Sequence, residues 1–470
     1  MSRVDLVFRT VGERTADIAL ELAIKHIRPD NVHIIDNVKP FAEAVNQMLK
    51  IPHDCDQVVY VDADCLILED MRPFLDKNTA PYVDSYVSDR FRGRLHCGVH
   101  ITRIDVVRAM ATIEPPTTDH AYVLRPESRI RNKAMRRYGF AKRFRNFEIL
   151  HDWFQSYRDI FHKYALRELR SRTEIQRKRL TRAMQEWEKD DDLDLQVARY
   201  AIEFTRNRVP LDTPTEEVDN YIRRLFEIAD EQLETLGLPP KPEFTYGELE
   251  RMRANGALNR ALGYGMKRDR VFGIGLSRTG TRSLTAALQV LGYDVEHYPT
   301  DKRTLNDLVH GNYAFQILDD YDGITDITVA PFYRELDEIY PDAKFILTTL
   351  EKKGWLKSCR NHWYGRGAFA KAETEEREIH MKIRRFLRAA VYGTYGFDAE
   401  RFSHVYDMHV RLAREYFADK QDRFLELNIP AGDGFDKLAP FLGRDVPSAQ
   451  VFPHKGKKLT QKLEALEIFD

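Results

Sequence analysis

One stretch constrains this chain more than any other: Val271-Phe-Gly-Ile-Gly-Leu-Ser-Arg-Thr-Gly-Thr-Arg-Ser-Leu284, where a short apolar run breaks into glycines and hydroxyls before the amphipathic segment Leu284–Leu291. The pattern predicts a strand, a tight loop and a helix N-terminus. Glycines let the backbone approach a ligand closely, and the first helical N–H groups have no internal partner, so a loop of this kind takes an anion.

Gly275 and Gly280 have the spacing of a Walker A motif, but Thr281 and Arg282 stand where that motif places Lys-Ser/Thr. The lysine and hydroxyl that handle phosphate and Mg²⁺ are therefore missing. Arg278-Thr279-Gly280-Thr281-Arg282-Ser283 instead resembles the 5′-phosphosulfate loop of sulfotransferases, which use 3′-phosphoadenosine 5′-phosphosulfate (PAPS) without a metal. The resemblance implies that Ser277, Thr279, Gly280, Thr281, Arg282 and Ser283 cradle the phosphosulfate. It also implies that Arg278 bonds the bridging oxygen that becomes negative as the sulfuryl group leaves.

Downstream, strands are predicted at Gly292–Tyr298, Ala343–Thr349 and Arg423–Ile429, with helices at Pro331–Ile339 and in the closing Phe435–Gly443 segment. This succession is similar to the sulfotransferase fold, an α/β sandwich related to nucleotide kinases. In that family an Arg just after a strand and a Ser eight residues later hold the 3′-phosphate of PAPS; Ser358 takes the Ser position, but Leu350 stands in the Arg position. One such hydrogen bond to a charged group is worth about 1.5–3 kcal/mol. Its loss weakens binding without abolishing it, and Lys352, Lys353, Lys357, Arg360 or the Lys455-Gly456-Lys457 tail are expected to substitute. The resemblance points to Asp326 as the base for the acceptor hydroxyl, with His297 second.

At the start of the chain, strands are predicted at Val4–Phe8, Val32–Ile35 and Gln57–Val61, alternating with helices at Thr15–His26 and Phe41–Leu49. This βαβ alternation predicts a largely parallel sheet with its ligand beyond the strand C-termini. The third strand ends at Asp62-Ala63-Asp64, where carboxylates at i and i+2 can turn towards one divalent cation. With Arg9-Thr10 after the first strand and Lys39-Pro40-Phe41 opening the second helix, the order resembles the nucleotide-sugar-binding half of GT-A glycosyltransferases. The resemblance implies Mn²⁺ or Mg²⁺ on Asp62 and Asp64, with His151 (of His151-Asp152) as a late ligand. It implies Arg9, Thr10, Lys39 and Asp62 on the nucleotide, and His96–His100 as the acceptor-side strand. No carboxylate stands out as a base.

Between these parts, Leu166–Asn207 is charge-dense with apolar residues at helical spacing. A further helix is expected from a capping box at Thr213-Pro214-Thr215-Glu216 to Gly237. The basic run Arg167–Arg182 reads as a solvated helix face, because acidic residues follow at Glu186–Asp194. The expected organisation is thus an α/β chain with a GT-A-like (Rossmann-like) domain over residues 1–165, a helical region over 166–265, and a P-loop-like sulfotransferase domain over 266–470.

Composition limits the partners. The 470 residues include 73 basic and 74 acidic side chains, so no global pull towards nucleic acid is expected. Four cysteines, Cys55, Cys65, Cys97 and Cys359, form no paired metal spacing and are read as reduced thiols. No signal peptide or transmembrane stretch is evident, which gives a cytoplasmic expectation. The functional expectation is a bifunctional transferase acting on a glycan or glycolipid acceptor: glycosyl transfer from a nucleotide sugar, and sulfuryl transfer from PAPS. The alternatives are one active head beside a retired binding module, or a P-loop kinase or NTPase.

Overall fold

Near-continuous apolar runs let the central N-terminal strands bury both faces of one sheet. The computed structural model describes residues 2–263, 270–364, 367–369, 374–447 and 451–454. The strands are β1 (Val4–Thr10), β2 (Asn31–Asp36), β3 (Gln57–Asp62), β4 (Cys65–Ile67), β5 (Tyr82–Asp89), β6 (Gly93–Arg103) and β7 (Lys142–His151). They form a seven-stranded sheet in the order β2-β1-β3-β6-β5-β7-β4. As the βαβ alternation predicts, β1 is parallel to both β2 and β3. Beyond β3 the sheet turns mixed, with β6 antiparallel to β3 and β5, and β7 parallel to β5. Leu6, Phe8, Val59 and Val61 pack with the helix Ala16–Ile27 on one face; Val7, Val58 and Tyr60 pack with the helix Phe41–Met48 on the other.

The middle of the chain is helical: Tyr157–Arg170, Glu174–Trp187, Leu193–Arg208, Thr215–Arg223 and Leu225–Thr235. These helices bury Phe161, Tyr164, Trp187, Ala201 and Leu225 around Phe91, and the Trp187 indole donates to the Phe91 carbonyl at 3.0 Å. They belong to the same compact unit as the sheet, Met1–Lys267. The capping box expected at Thr213 does not form: Pro214, extended at φ −57° and ψ 148°, takes the N-cap without a side-chain bond. The predicted single helix to Gly237 is divided at Arg224.

The second unit, Arg268–Asp470, contains β8 (Val271–Gly273), β9 (Val295–His297), β10 (Gly323–Thr325), β11 (Lys344–Thr348) and β12 (Phe424–Leu427). The order is β12-β11-β8-β10-β9 and all pairs are parallel. After β8 the chain crosses to β9 on one side, and after β10 it crosses to β11 on the other. The C-terminal end of β8 is therefore the topological switch point, where ligands of such sheets bind.

Gly323 leaves no room for a side chain, because a Cβ there would lie 1.9 Å from the Val271 carbonyl oxygen. Gly323→Ala must push β10 away from β8, and we expect the melting temperature of the second unit to fall by roughly 5–10 °C, as measured by differential scanning calorimetry.

Candidate functional sites

In the second unit, the loop after β8 turns through left-handed conformations at Arg278 (φ 76°) and Gly280 (φ 109°) and delivers the chain to the helix Thr281–Val290. Gly275 passes so close to β11 that a Cβ would meet Thr348 Oγ1 at 1.9 Å. Thr279 Oγ1 pairs with Thr348 Oγ1 at 2.6 Å, and the Trp355 indole donates to the Ser277 carbonyl at 2.9 Å. The loop is thereby held from β11 and from the helix Lys352–Trp363.

Asp326 follows β10 at φ 79° and is 4% exposed. Its carboxylate accepts from Ser277 Oγ, from Thr281 Oγ1 at 2.7 Å and from the Ile327 N–H at 2.7 Å, and lies 3.0 Å from His297 Nε2. Burial alone would raise its pKa; His297, Ser277 and Thr281 outweigh burial and hold it at about 2. Asp326 thus joins β8, β9 and β10 through their terminal loops.

Arg278 donates from Nε to Ser358 Oγ at 3.0 Å, so the two sulfotransferase-like positions meet. Ser283 is buried on the first helical turn and Arg282 is exposed. Around Leu350 the structure offers less: its N–H donates to the Tyr406 hydroxyl, and Glu351 caps the helix Lys352–Trp363 by accepting from Lys353 N and Gly354 N. Lys352 is paired with Asp407 at 2.8 Å, while Lys353, Lys357 and Arg360 are exposed. Lys455 and Lys457 lie outside the described residues. Motif reading missed Tyr298, which follows His297 and feels the charges of Asp326, Arg384 and Arg388. The two arginines come from the helix Glu375–Tyr392, which has no recognisable motif.

In the first unit, strand register builds the second site. β4 pairs Cys65 with His151 of β7, and β5 pairs Asp89 with the same histidine. His151 Nδ1 lies 2.9 Å from Asp89 Oδ2, while Nε2 faces Asp64 Oδ1 at 3.7 Å and Cys97 Sγ at 3.4 Å. Lys163, from the helix Tyr157–Arg170, donates to both Asp64 and Asp152. Burial opposes ionisation of Asp64, but Lys163 and His151 prevail and keep its carboxyl below the usual range. Two sets of side chains bring their ligand atoms close enough together for one cation, Asp64 with Cys65 and His151, and Asp89 with His151 and Asp152. Lys163 occupies a carboxylate of each set.

Asp62 is outside this group. Its Oδ1 accepts from Arg9 Nε at 2.8 Å, and Arg9 Nη1 donates to Glu127 at 2.7 Å. Thr10 Oγ1 donates to Glu13 at 2.7 Å, and the Lys39 ammonium sits 4.2 Å from the Phe226 ring centre. The basic run read as a solvated face is different in part: Arg167 and Arg170 follow Lys163 at helical spacing on its buried side. Burial and repulsion from Arg92 and Arg125 press Arg167 well below the ordinary value and Arg170 to about 10. Arg9 Nη2 and Arg92 Nε are buried without hydrogen-bond partners.

Comparison with known proteins places the second unit. Residues 270–460 match the family model described as a sulfotransferase domain, so this part of the chain is of the sulfotransferase class. Over 212 residues the chain is 28% identical to "Ava biosynthesis cluster protein M" of Aspergillus versicolor, covering 39% of this chain and 80% of that protein. Among solved structures, a glycosyltransferase involved in glycosylation of the major capsid of PBCV-1 covers 32% of this chain and 94% of its own at 10% identity and a TM-score of 0.22. The glycosyltransferase GlyE of Streptococcus pneumoniae TIGR4 covers 76% and 90% at 9% identity and 0.18. At these scores neither bears on activity. No helix among the described residues is long and apolar enough to cross a membrane.

Glu13 lines the cleft with Asp64, Asp152, Asp159 and Lys163. Burial pushes its carboxyl from 4.5 to about 7, against bonds from Thr10 and Val11. The folded protein then holds a proton that the unfolded chain releases, so this group costs stability as pH rises from about 4.5 to 7. Glu13→Gln should gain on the wild type by about 1–2 kcal/mol between pH 5 and 8. Thermal melts at both pH values check this, and a pH-independent difference would contradict it.

Proposed function

We propose that the chain carries two transferase sites, one moving the sulfuryl group of PAPS to an acceptor hydroxyl and the other moving a sugar from a nucleotide sugar to a glycan or glycolipid. The observation that carries the first reading is the loop after β8, which opens the helix Thr281–Val290 and in which Arg278 meets Ser358. There the Thr281–Ser283 N–H groups and Arg278 hold the phosphosulfate. As the acceptor oxygen bonds to sulfur, the bond from sulfur to the phosphate oxygen breaks, and its electron pair stays on the departing nucleotide, where Arg278 meets the new charge.

The acceptor proton goes to His297 and not to Asp326. A carboxyl at about 2 is a poor base, and Asp326 is already committed to Ser277, Thr281 and the Ile327 N–H. It orients His297 through Nε2, which leaves Nδ1 for the acceptor. Arg384 and Arg388 favour an acceptor with negative charge near the hydroxyl.

For the second reading, Arg92, Arg167 and Arg170 receive the diphosphate of the nucleotide sugar, and Arg9 holds Asp62 towards the nucleotide. Asp64 and His151 would hold a Mn²⁺ or Mg²⁺ ion, which when bound offsets charge on the leaving diphosphate.

Transfer of ³⁵S from labelled PAPS to a glycan acceptor tests the first site. Arg278→Ala and His297→Ala should each lower it by about 10²–10³-fold, while Asp64→Asn leaves it unchanged. Leu350 and the capping Glu351 favour one other reading, a sulfotransferase fold retained as a binding module; calorimetric binding of desulfated PAPS without any sulfuryl transfer would establish it.

For the other site, Arg167→Ala and Arg170→Ala should each weaken nucleoside diphosphate binding by about tenfold by calorimetry, with Arg278→Ala without effect. Unchanged affinity in both arginine variants would remove the diphosphate from this cleft.

A further inference from the structure

At the opposite end of β1 from Arg9, a second group of chemically versatile side chains converges. Asp5 is 1% exposed and lies on the same sheet face as Val7 and Arg9, about 13 Å of strand away from the latter. In the parallel register with β2, Asp5 pairs with Asn31 and Val7 with His33, so the imidazole of His33 rises on the same face, beside Asp5. The loop before β3 brings His53 and Cys55 against them.

The distances are short. Asp5 Oδ2 lies 2.7 Å from His53 Nδ1 and 3.5 Å from His33 Nε2, and the three ligand atoms all lie within 4.8 Å of one another. Asn31 Nδ2 donates to the other carboxylate oxygen at 3.0 Å and fixes its orientation. The His53 side chain is 1% exposed, and the two rings stand edge to face with centres 5.2 Å apart. Nε2 of His33 and Nε2 of His53 are both buried with no hydrogen-bond partner, an arrangement that core packing gives no reason to keep. Cys55 is buried nearby.

We propose that Asp5, His33 and His53 form a binding site for a borderline divalent transition metal, best fitted by Zn²⁺. Two imidazoles and a carboxylate are ligand types that Zn²⁺ takes with a water completing a tetrahedron, whereas Mg²⁺ and Ca²⁺ require oxygen. The ion would replace the Asp5–His53 contact with three metal–ligand bonds. It would tie the edge strand β2 and the loop 53–55 to β1. Its role is structural, since the group lies at the strand ends opposite to Asp62 and Asp64.

The test uses the full-length protein, stripped with a chelator and dialysed against low-micromolar Zn²⁺. Elemental analysis should find a zinc equivalent that persists in Asp64→Asn and His151→Ala and disappears in His33→Ala, the partner at the more exposed edge position. Zinc should raise the melting temperature of the stripped wild type by about 5 °C, and that of His33→Ala by none. Should His33→Ala fail to fold, Co²⁺ added to the wild type serves instead: tetrahedral ligand-field absorption supports the site, and octahedral aquo-like absorption overturns it. The proposal is also overturned if stripped wild type binds no zinc, or if His33→Ala binds as much as wild type.

Discussion

The Lys163 ammonium lies between Asp64 and Asp152, carboxylates that would otherwise repel each other in a buried setting where water cannot screen them. His151, itself braced by Asp89, supplies the neighbouring positive charge. Removing either cation would leave buried carboxylates that must take up protons or open the fold. The position of the helix Tyr157–Arg170 over the strand ends follows from this requirement, and the same helix carries Arg167 and Arg170 into place.

The distribution of charge explains why similar residues do different work. Glu13 and Asp326 are both buried carboxyls, yet one is pushed up to about 7 and the other held at about 2. The difference is the number and kind of neighbours. Asp326 is faced by two hydroxyls, a backbone N–H and an imidazole, whereas Glu13 has one hydroxyl and one N–H and feels the charge of Asp64. A carboxylate supplied with donors becomes a fixed anchor, and one left short of them exchanges protons near neutrality.

Local patterns made much of this legible before any coordinates. The glycine spacing at Gly275 and Gly280, the short apolar runs of β1 and β3, and the helical periodicity after Leu166 each report on neighbours within a few residues. What escaped sequence reading depends on long-range register. Nothing near Asp89 or Lys163 announces that β5 and β7 set the former against His151, or that a helix a hundred residues later brings the latter to Asp64. The capping box at Thr213 looked sound, but Pro214 keeps the backbone extended there, so the helix starts without it. Arg167 and Arg170 were hidden for a similar reason: burial of a helix face depends on what packs against it, and charge patterning alone favours solvent.

The parallel sheet of the second unit has a consequence for the order in which the protein is made. The loop after β8 takes its shape from Asp326 and Thr348, and β11 is flanked in turn by β12 at Phe424–Leu427. At about 5–20 residues per second, translation of the second unit takes about 10–40 s after Lys267 has been added. During that interval the first unit already has all its strands and helices. The loop after β8 is among the earliest parts of its unit to leave the ribosome and among the last to acquire its partners, so a folded first unit is for that time attached to an unformed second one.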